Sequence, residues 1–227
     1  MNSFKITIFK GHSIIKDKNN IILIDTGAPS TIHNTENLSF LTDTYNCTTD
    51  YLGLTIDDIS EMLGMEITTL LGVDIISNYK IMLNYRKKIA DFDKNDIIFD
   101  GTEILISSFM GIPIIELIIN GEKLNFFLDT GAKLSYLPDT ITNNYESIGT
   151  EEDFYPGVGS FETKYYEILT KVDQSEFKVK YGNLPEILQI TLSLAGIDGI
   201  LGYDFFNNFN VMLDLKNNRL KYKKHID

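Results

Sequence analysis

Cysteine and tryptophan are nearly missing from this chain: 227 residues hold one Cys, Cys47, and no Trp. One thiol closes no internal disulfide, so the sequence is not stapled for an oxidising compartment. Proline is scarce too, with 5 residues, while 43% of the chain is apolar. That composition excludes a disulfide mini-protein and a disordered tail, and supplies one good core or two small ones. Basic residues are the minority, 20 against 32 acidic, for a formal net charge of −12. Such a surface repels phosphate backbones, which argues against nucleic acid as the main partner. No apolar run approaches the roughly 20 residues that span a bilayer. The first eighteen residues interleave Lys5, Lys10, Lys16 and Lys18 with apolar residues, which leaves no h-region for a secretory signal. The expectation is a soluble, cytoplasmic protein. The three histidines, His12, His33 and His225, show no ligand-like spacing and read as surface or turn residues. No metal or cofactor is expected.

What is present is a series of short β-type runs between Gly, Asn, Asp and Lys turns. They include Lys5–Phe9, Ile21–Ile24, Lys80–Leu83, Ile112–Ile119, Leu124–Leu128, Phe177–Tyr181 and Asn210–Leu215. Asn120-Gly121 between two of them signals a tight hairpin, because both residues accept positive φ. Helical pattern is sparse, best at Thr55–Met65 and after Tyr203. The fold class is mainly β, at the strand spacing of barrels and sandwiches.

The sequence also repeats itself. The run leading into Asp25-Thr26-Gly27-Ala28 returns before Asp129-Thr130-Gly131-Ala132, 104 residues later. Leu71-Gly72-Val73-Asp74, with Asn78, Met82 and Leu83, returns as Leu201-Gly202-Tyr203-Asp204, with Asn208, Met212 and Leu213, at a constant offset of 130. Each half therefore carries the same two blocks in the same order, and the second holds 26 more residues between them. A single Asp-Thr-Gly is a weak motif. Turn chemistry accounts for the Asp and Gly of each copy. It does not account for the Thr, the Ala and the apolar lead-in being kept in both.

Two such loops suggest a chemistry. An apolar strand delivers Asp25 into a tight turn, and Gly27 allows a close backbone approach beneath a carboxylate. If the halves pack about a pseudo-twofold axis, Asp25 and Asp129 face each other. Two carboxyls at hydrogen-bond distance do not both ionise cheaply, so one keeps a proton. The ionised partner can then take a proton from water while the protonated one polarises a carbonyl.

At these residues the chain resembles the aspartic peptidases of the pepsin and retropepsin superfamily. Asp-Thr-Gly after an apolar strand, and the later Leu70-Leu71-Gly72 and Ile200-Leu201-Gly202 blocks, match that family's signature twice over, as in a single-chain tandem retropepsin-like protease. The resemblance covers about 1–90 and 110–224. It implies an all-β, bilobal, acid-protease fold with pseudo-twofold symmetry and few short helices. It further implies Asp25 and Asp129 as the catalytic dyad, Thr26 and Thr130 as braces between the two loops, and Gly27 and Gly131 as residues whose carbonyls accept from a peptide. Asp74 and Asp204 read as structural. Ala28 and Ala132 stand where pepsin-like enzymes carry a hydroxyl, so the dyad is expected to titrate higher than in those enzymes.

Pro156-Gly157-Val158-Gly159-Ser160-Phe161 resembles a retropepsin flap tip, with Gly157, Val158 and Gly159 contacting substrate through a mobile, glycine-rich hairpin. Tyr155 is a weak match to the flap tyrosine of pepsin-like enzymes. The first half has no comparable tip in Asn46–Thr55. The organisation expected is an N-terminal lobe, 1–100, without an evident flap, and a C-terminal lobe, 101–227, with one. Asp91–Glu103 is the charged connection between them. The implied function is an aspartic endopeptidase, active as a monomer on a peptide or protein substrate. The alternatives are a catalytically silent peptide-binding protein with a protease-like cleft, and a dimer whose lobes pair between chains.

Overall fold

The computed structural model describes residues 1–51, 53–155 and 158–225. It is mainly β, with five short α-helices among the described residues. The repeat seen in the sequence is a repeat of strand pairing. In the first half, Thr69–Leu71 runs parallel to Asn20–Ile24 and antiparallel to Ile32–His33. In the second, Gly199–Leu201 runs parallel to Glu122–Leu128 and antiparallel to Ser135–Tyr136. Both parallel pairs are alternating or continuous apolar runs, as buried pairing of this kind requires.

The halves share one six-stranded sheet, in the order Asn2–Lys5, Ile89–Asp93, Lys80–Asn84, Phe209–Asp214, Arg219–Lys224 and Thr102–Leu105. Its two central strands are repeat equivalents, and Met82 pairs with Met212, its own counterpart. The pseudo-twofold axis passes through that pair. Beneath it one apolar cluster runs continuously through both halves, from Ile22, Phe40 and Phe92 to Phe126, Phe205 and Tyr222. Two smaller clusters, one around Ile14, Ile32 and Leu70 and one around Leu134, Tyr136 and Ile200, hold equivalent positions in the two halves. The arrangement is mainly β, and the two halves repeat each other's strand pairing about the shared sheet.

The Asn120-Gly121 hairpin forms with φ of 54° and 84°, between Ile119 and Glu122. Helix Ile56–Leu63 begins at Thr55, whose side chain and that of Asp58 form a capping box, and ends at Gly64 with φ 73°. The expected Thr55–Met65 helix is shortened by these caps.

Other expectations are corrected. Lys5–Phe9 is not one strand: it divides at the fully buried Ile6, whose N–H donates to the Lys88 carbonyl. Asn2–Lys5 belongs to the shared sheet and Thr7–Phe9 to the five-stranded sheet of the first half. A helix at Glu186–Leu194 had no clear signal. Asp91 is buried within strand Ile89–Asp93, which confines the connection between the halves to 94–101. His12 and His33 are not surface residues; both are buried.

The additional length of the second half is visible as one hairpin. Gly149–Tyr155 and Gly159–Val172 pair antiparallel and continue into Ser175–Gly182. The first half has two short hairpins instead, Asn37–Phe40 with Asp43–Asn46, and Asp50–Tyr51 with Leu54–Thr55. No helix among the described residues is long and apolar enough to cross a membrane.

Candidate active site

Asp25 follows strand Asn20–Ile24, and its N–H donates to the Leu71 carbonyl at 3.0 Å; Asp129 follows Glu122–Leu128 and donates to Leu201 at 2.9 Å. Each loop is thereby hung on the Leu-Gly block of its own half. The blocks press from behind: a β-carbon on Gly72 would lie 2.8 Å from the Ala28 carbonyl oxygen, and one on Gly202 2.5 Å from that of Ala132. Only glycine permits this approach. Thr31 adds a second tie in the first half, accepting from Gly72 N–H at 3.0 Å and donating to Asp74 at 2.7 Å. Ser135 accepts from Gly202 N–H in the second, and Asp204 accepts from Lys180 N–H.

The two loops interlock. Thr26 N–H donates to Thr130 Oγ1 and Thr130 N–H to Thr26 Oγ1, both at 3.0 Å. Thr26 Oγ1 donates to the Leu128 carbonyl at 2.7 Å and Thr130 Oγ1 to the Ile24 carbonyl at 2.8 Å. Both threonines are buried. The four bonds are reciprocal, so neither loop shifts without the other. Thr26→Val keeps the shape and leaves buried groups unpaired, at about 1–3 kcal/mol for each one stranded. A urea melt is expected to show that loss; an unchanged midpoint would refute the interlock as a stabilising device.

The interlock brings Asp25 and Asp129 within hydrogen-bonding reach of each other. Gly27 N–H donates to Asp25 Oδ1 at 2.9 Å and Gly131 N–H to Asp129 Oδ1 at 2.7 Å. The glycines also cross over. A β-carbon on Gly131 would sit 2.6 Å from the Asp25 carboxyl carbon, and one on Gly27 would overlap the Asp129 carboxyl group. Each glycine thus clears space for the opposite half's carboxylate rather than for its own.

Burial is the main cause that raises both aspartates above the usual carboxylate range. Asp25 is pushed well above it, with the charge of Asp129 and the bond between them adding to the push. For Asp129 the Gly131 N–H and the hydrogen bond with Asp25 act in the opposite direction, holding its charged form. Both carboxyls are therefore held toward their protonated forms, and Asp25 carries the stronger upward push.

The long hairpin of the second half brings Tyr155 near enough to this pair to feel its charges. Tyr155 closes its described part, paired with Gly159, and Val158 N–H donates back to the Tyr155 carbonyl at 3.0 Å. Gly159 has φ 89°, a turn conformation that glycine adopts at no cost. Val158 is exposed, and Gly157 lies outside the described residues. The Tyr155 hydroxyl is pushed up to about 12, first by burial and then by the charges of Asp129 and Asp25. A tyrosine that sequence matched only weakly therefore sits close to the carboxyl pair; its place beside the Pro-Gly tip was the available signal. Tyr51, on the short hairpin of the first half, is near enough to Tyr155 to act on the same hydroxyl.

Cys47 has no part in this site. Its thiol donates to the Tyr45 carbonyl, and burial and Asp74 push it up to about 11. Among the described residues, no group of three or more His, Cys, Asp or Glu is arranged to hold a metal ion. Two surface hollows lie away from the carboxyl pair. One, of about 360 Å³, adjoins Lys80, Asp214 and Lys221. The other, of about 510 Å³, runs between the long hairpin and helix Glu186–Leu194.

No protein-family model and no curated protein matches the chain. Among solved structures it is similar to a retropepsin-like aspartic protease from Rickettsia conorii, at 18% identity over 54% of this chain and 91% of that one, TM-score 0.39. It is also similar to the simian foamy virus protease in solution, at 19% identity over 39% of this chain and 86% of that one, TM-score 0.30.

Proposed function

We propose that the chain is an aspartic endopeptidase whose single active site is built from both of its halves, 1–100 and 101–227 acting as two lobes. The observation that supports this reading is the pairing of the Asp25 and Asp129 carboxyls between interlocked loops; in it, the two share one proton. Asp129, held in its charged form by Gly131 N–H, takes a proton from a water seated between the two. The hydroxide character so created attacks the scissile carbonyl carbon, and the proton on Asp25 passes to the carbonyl oxygen. The tetrahedral diol then collapses: Asp129 returns its proton to the leaving nitrogen, Asp25 recovers one from the diol, and the C–N bond breaks. Catalyst and water are the only proton carriers required.

An extended peptide would lie in the groove between the lobes, held by backbone hydrogen bonds in the manner of strand addition. Gly27 and Gly131 would offer carbonyls, and Val158 and Gly159, with Gly157, would close from above. Tyr155 joins them as a residue over the reacting bond. One hairpin, from the second half, acts as the flap. With both Asp-Thr-Gly loops on one chain, the active unit of this reading is a monomer.

The pH dependence tests this reading. The ionised member of the pair must be free of its proton, and the other must keep one. Both are raised, and neither Ala28 nor Ala132 offers a hydroxyl to stabilise the charge. Digestion of a peptide library is expected to peak at mildly acidic to near-neutral pH. A profile peaking below about pH 3 would contradict the raised pair. A folded protein that binds peptides and cleaves none across the range would favour the silent-cleft alternative.

A further inference from the structure

His12 stands apart from every role described so far. It is 4% exposed, its Nδ1 has no hydrogen-bond partner, and it belongs to the first half. Yet several of the groups around it come from the second. The Gly131 carbonyl lies beside the ring, the Phe154 ring is 6.4 Å away, centroid to centroid, and the Asp153 carboxylate is close enough to act on it. His12 thus touches both parts of the second half that would hold substrate: the Asp-Thr-Gly loop and the base of the flap.

The packing that puts it there is specific. The turn at Lys10-Gly11, with φ of 48° and 88°, sits directly on Lys133: a β-carbon on Gly11 would lie 2.8 Å from Lys133 Cβ. Lys133 in turn bonds to Glu151 at 3.1 Å and to the Glu152 carbonyl, both on the flap strand. Asp153 is buried, accepts from Phe154 N–H at 2.9 Å, and accepts from the Tyr136 hydroxyl. Turn, loop and flap strand meet at one place.

The internal repeat supplies a control. The equivalent turn, Met110-Gly111, has φ of 53° and 82° and packs against Val73. The residue after it, matching His12, is Ile112. The fold therefore accepts an apolar residue at this position, and half one carries a polar ring instead. Where no flap rises above, the position is an isoleucine; beneath the flap it is a histidine.

We propose that His12 is a positioning residue for the second active-site loop and the flap, supporting the Gly131 carbonyl from below while Asp153 and Phe154 rest on its ring. The inference rests on the endopeptidase reading. Gly131 is the lever: its N–H holds Asp129, and a β-carbon on it would lie 2.6 Å from the Asp25 carboxyl carbon, so a small shift of this residue reaches both carboxylates. Neutral imidazole suits the task, with one N–H to give to a carbonyl. Burial keeps His12 below its ordinary value; Asp153 opposes that, and Lys133 and Lys10 reinforce it. On acidification the unfolded chain takes the proton first. The neutral, folded form therefore weakens as pH falls from the ordinary histidine range. Once protonated, the ring competes with Tyr136 for Asp153 and loosens the flap base.

Two variants test this. His12→Ile installs the residue of the equivalent position; His12→Gln keeps a neutral amide donor at the reach of Nε2. On a cleaved peptide near neutral pH, His12→Ile is expected to raise KM about tenfold with the smaller effect on kcat, and His12→Gln to recover most of that. Both should lose the His12 contribution to the acid side of the profile and keep the inflection set by the aspartate pair. Hydrogen exchange supplies a readout independent of turnover: faster exchange at 129–134 and 149–155 in His12→Ile, with the six-stranded sheet unchanged. Unchanged exchange at those amides together with an unchanged KM would overturn the proposal, as would equal damage in both variants. Absence of cleavage by wild type would count against the endopeptidase reading alone, and exchange would still decide the role of His12. Should His12→Ile fail to fold, His12→Gln and its pH profile carry the test.

Discussion

Gly27→Ala is expected to leave the protein folded and to reduce peptide cleavage by at least about a hundredfold. The backbone at Gly27 is not among the left-handed glycines, so alanine meets no conformational barrier there. The obstacle is the Asp129 carboxyl group, which occupies the space that the new methyl would need. That carboxylate is pinned by Gly131 N–H at 2.7 Å, and the loops are pinned by four threonine bonds. The methyl therefore pushes the carboxyl out of line rather than spreading the loops. Overpacking of this kind costs about 1–3 kcal/mol, within what a domain of this size tolerates. Gly131→Ala should act likewise through Asp25. Kinetics on a fluorogenic peptide, alongside a thermal melt, check both halves of the expectation. Full activity in a folded Gly27→Ala would show that the carboxyls are not held as described.

Asp25→Asn and Asp129→Asn are expected to abolish cleavage and, at neutral pH, to stabilise the fold. The sign follows from the raised pair. Between the ordinary carboxylate range and the raised one, the native pair holds a proton that the unfolded chain has released. Stability therefore falls as pH rises through that window, and the whole cost is present above it. An asparagine carries no charge to repel its neighbour and can still donate to it, so the cost disappears. The melting temperature should rise by several degrees near pH 7, and the gain should vanish at about pH 3, where native and unfolded carboxyls are both largely protonated. A gain equal at both pH values, or a loss near pH 7, would contradict a shared proton. That an enzyme would be made more stable by losing its catalytic group is the usual exchange of stability for activity at strained, buried sites.

The parts of this site that were legible in the sequence are the parts the repeat wrote twice. Asp25 and Asp129, their threonines and their glycines stand out because two copies share a lead-in and a later Leu-Gly block. The constant offset between those blocks also anticipates Met82 opposite Met212, since equivalent strands meet at a twofold axis. Asn120-Gly121 was readable because turn conformation is local chemistry.

What escaped the sequence depends on contacts between the halves. His12 looks like a turn residue because it follows Lys10-Gly11; Lys133 and Phe154, more than a hundred residues away, bury it. Ile6 breaks a run of good strand formers because the chain changes sheets there, and nothing local marks the change. Helix Glu186–Leu194 has Ile187, Ile190 and Leu194 exposed, so it shows no clean polar face and reads ambiguously between helix and strand. The crossed glycines were half legible. The need for glycine was plain, but that each serves the opposite carboxylate is a property of the assembled pair.

The central claim is that Asp25 and Asp129, on one chain, form a single hydrolytic site. The most direct measurement is a peptide-library digest with wild type, Asp25→Asn, Asp129→Asn and an equimolar mixture of the two variants, over about pH 3 to 8. The account predicts cleavage by wild type and none by either variant. The mixture should also be inactive, because each chain supplies both aspartates of its own site. Cleavage that survives either substitution would contradict the paired-carboxyl chemistry, and cleavage regained on mixing would contradict the single-chain site.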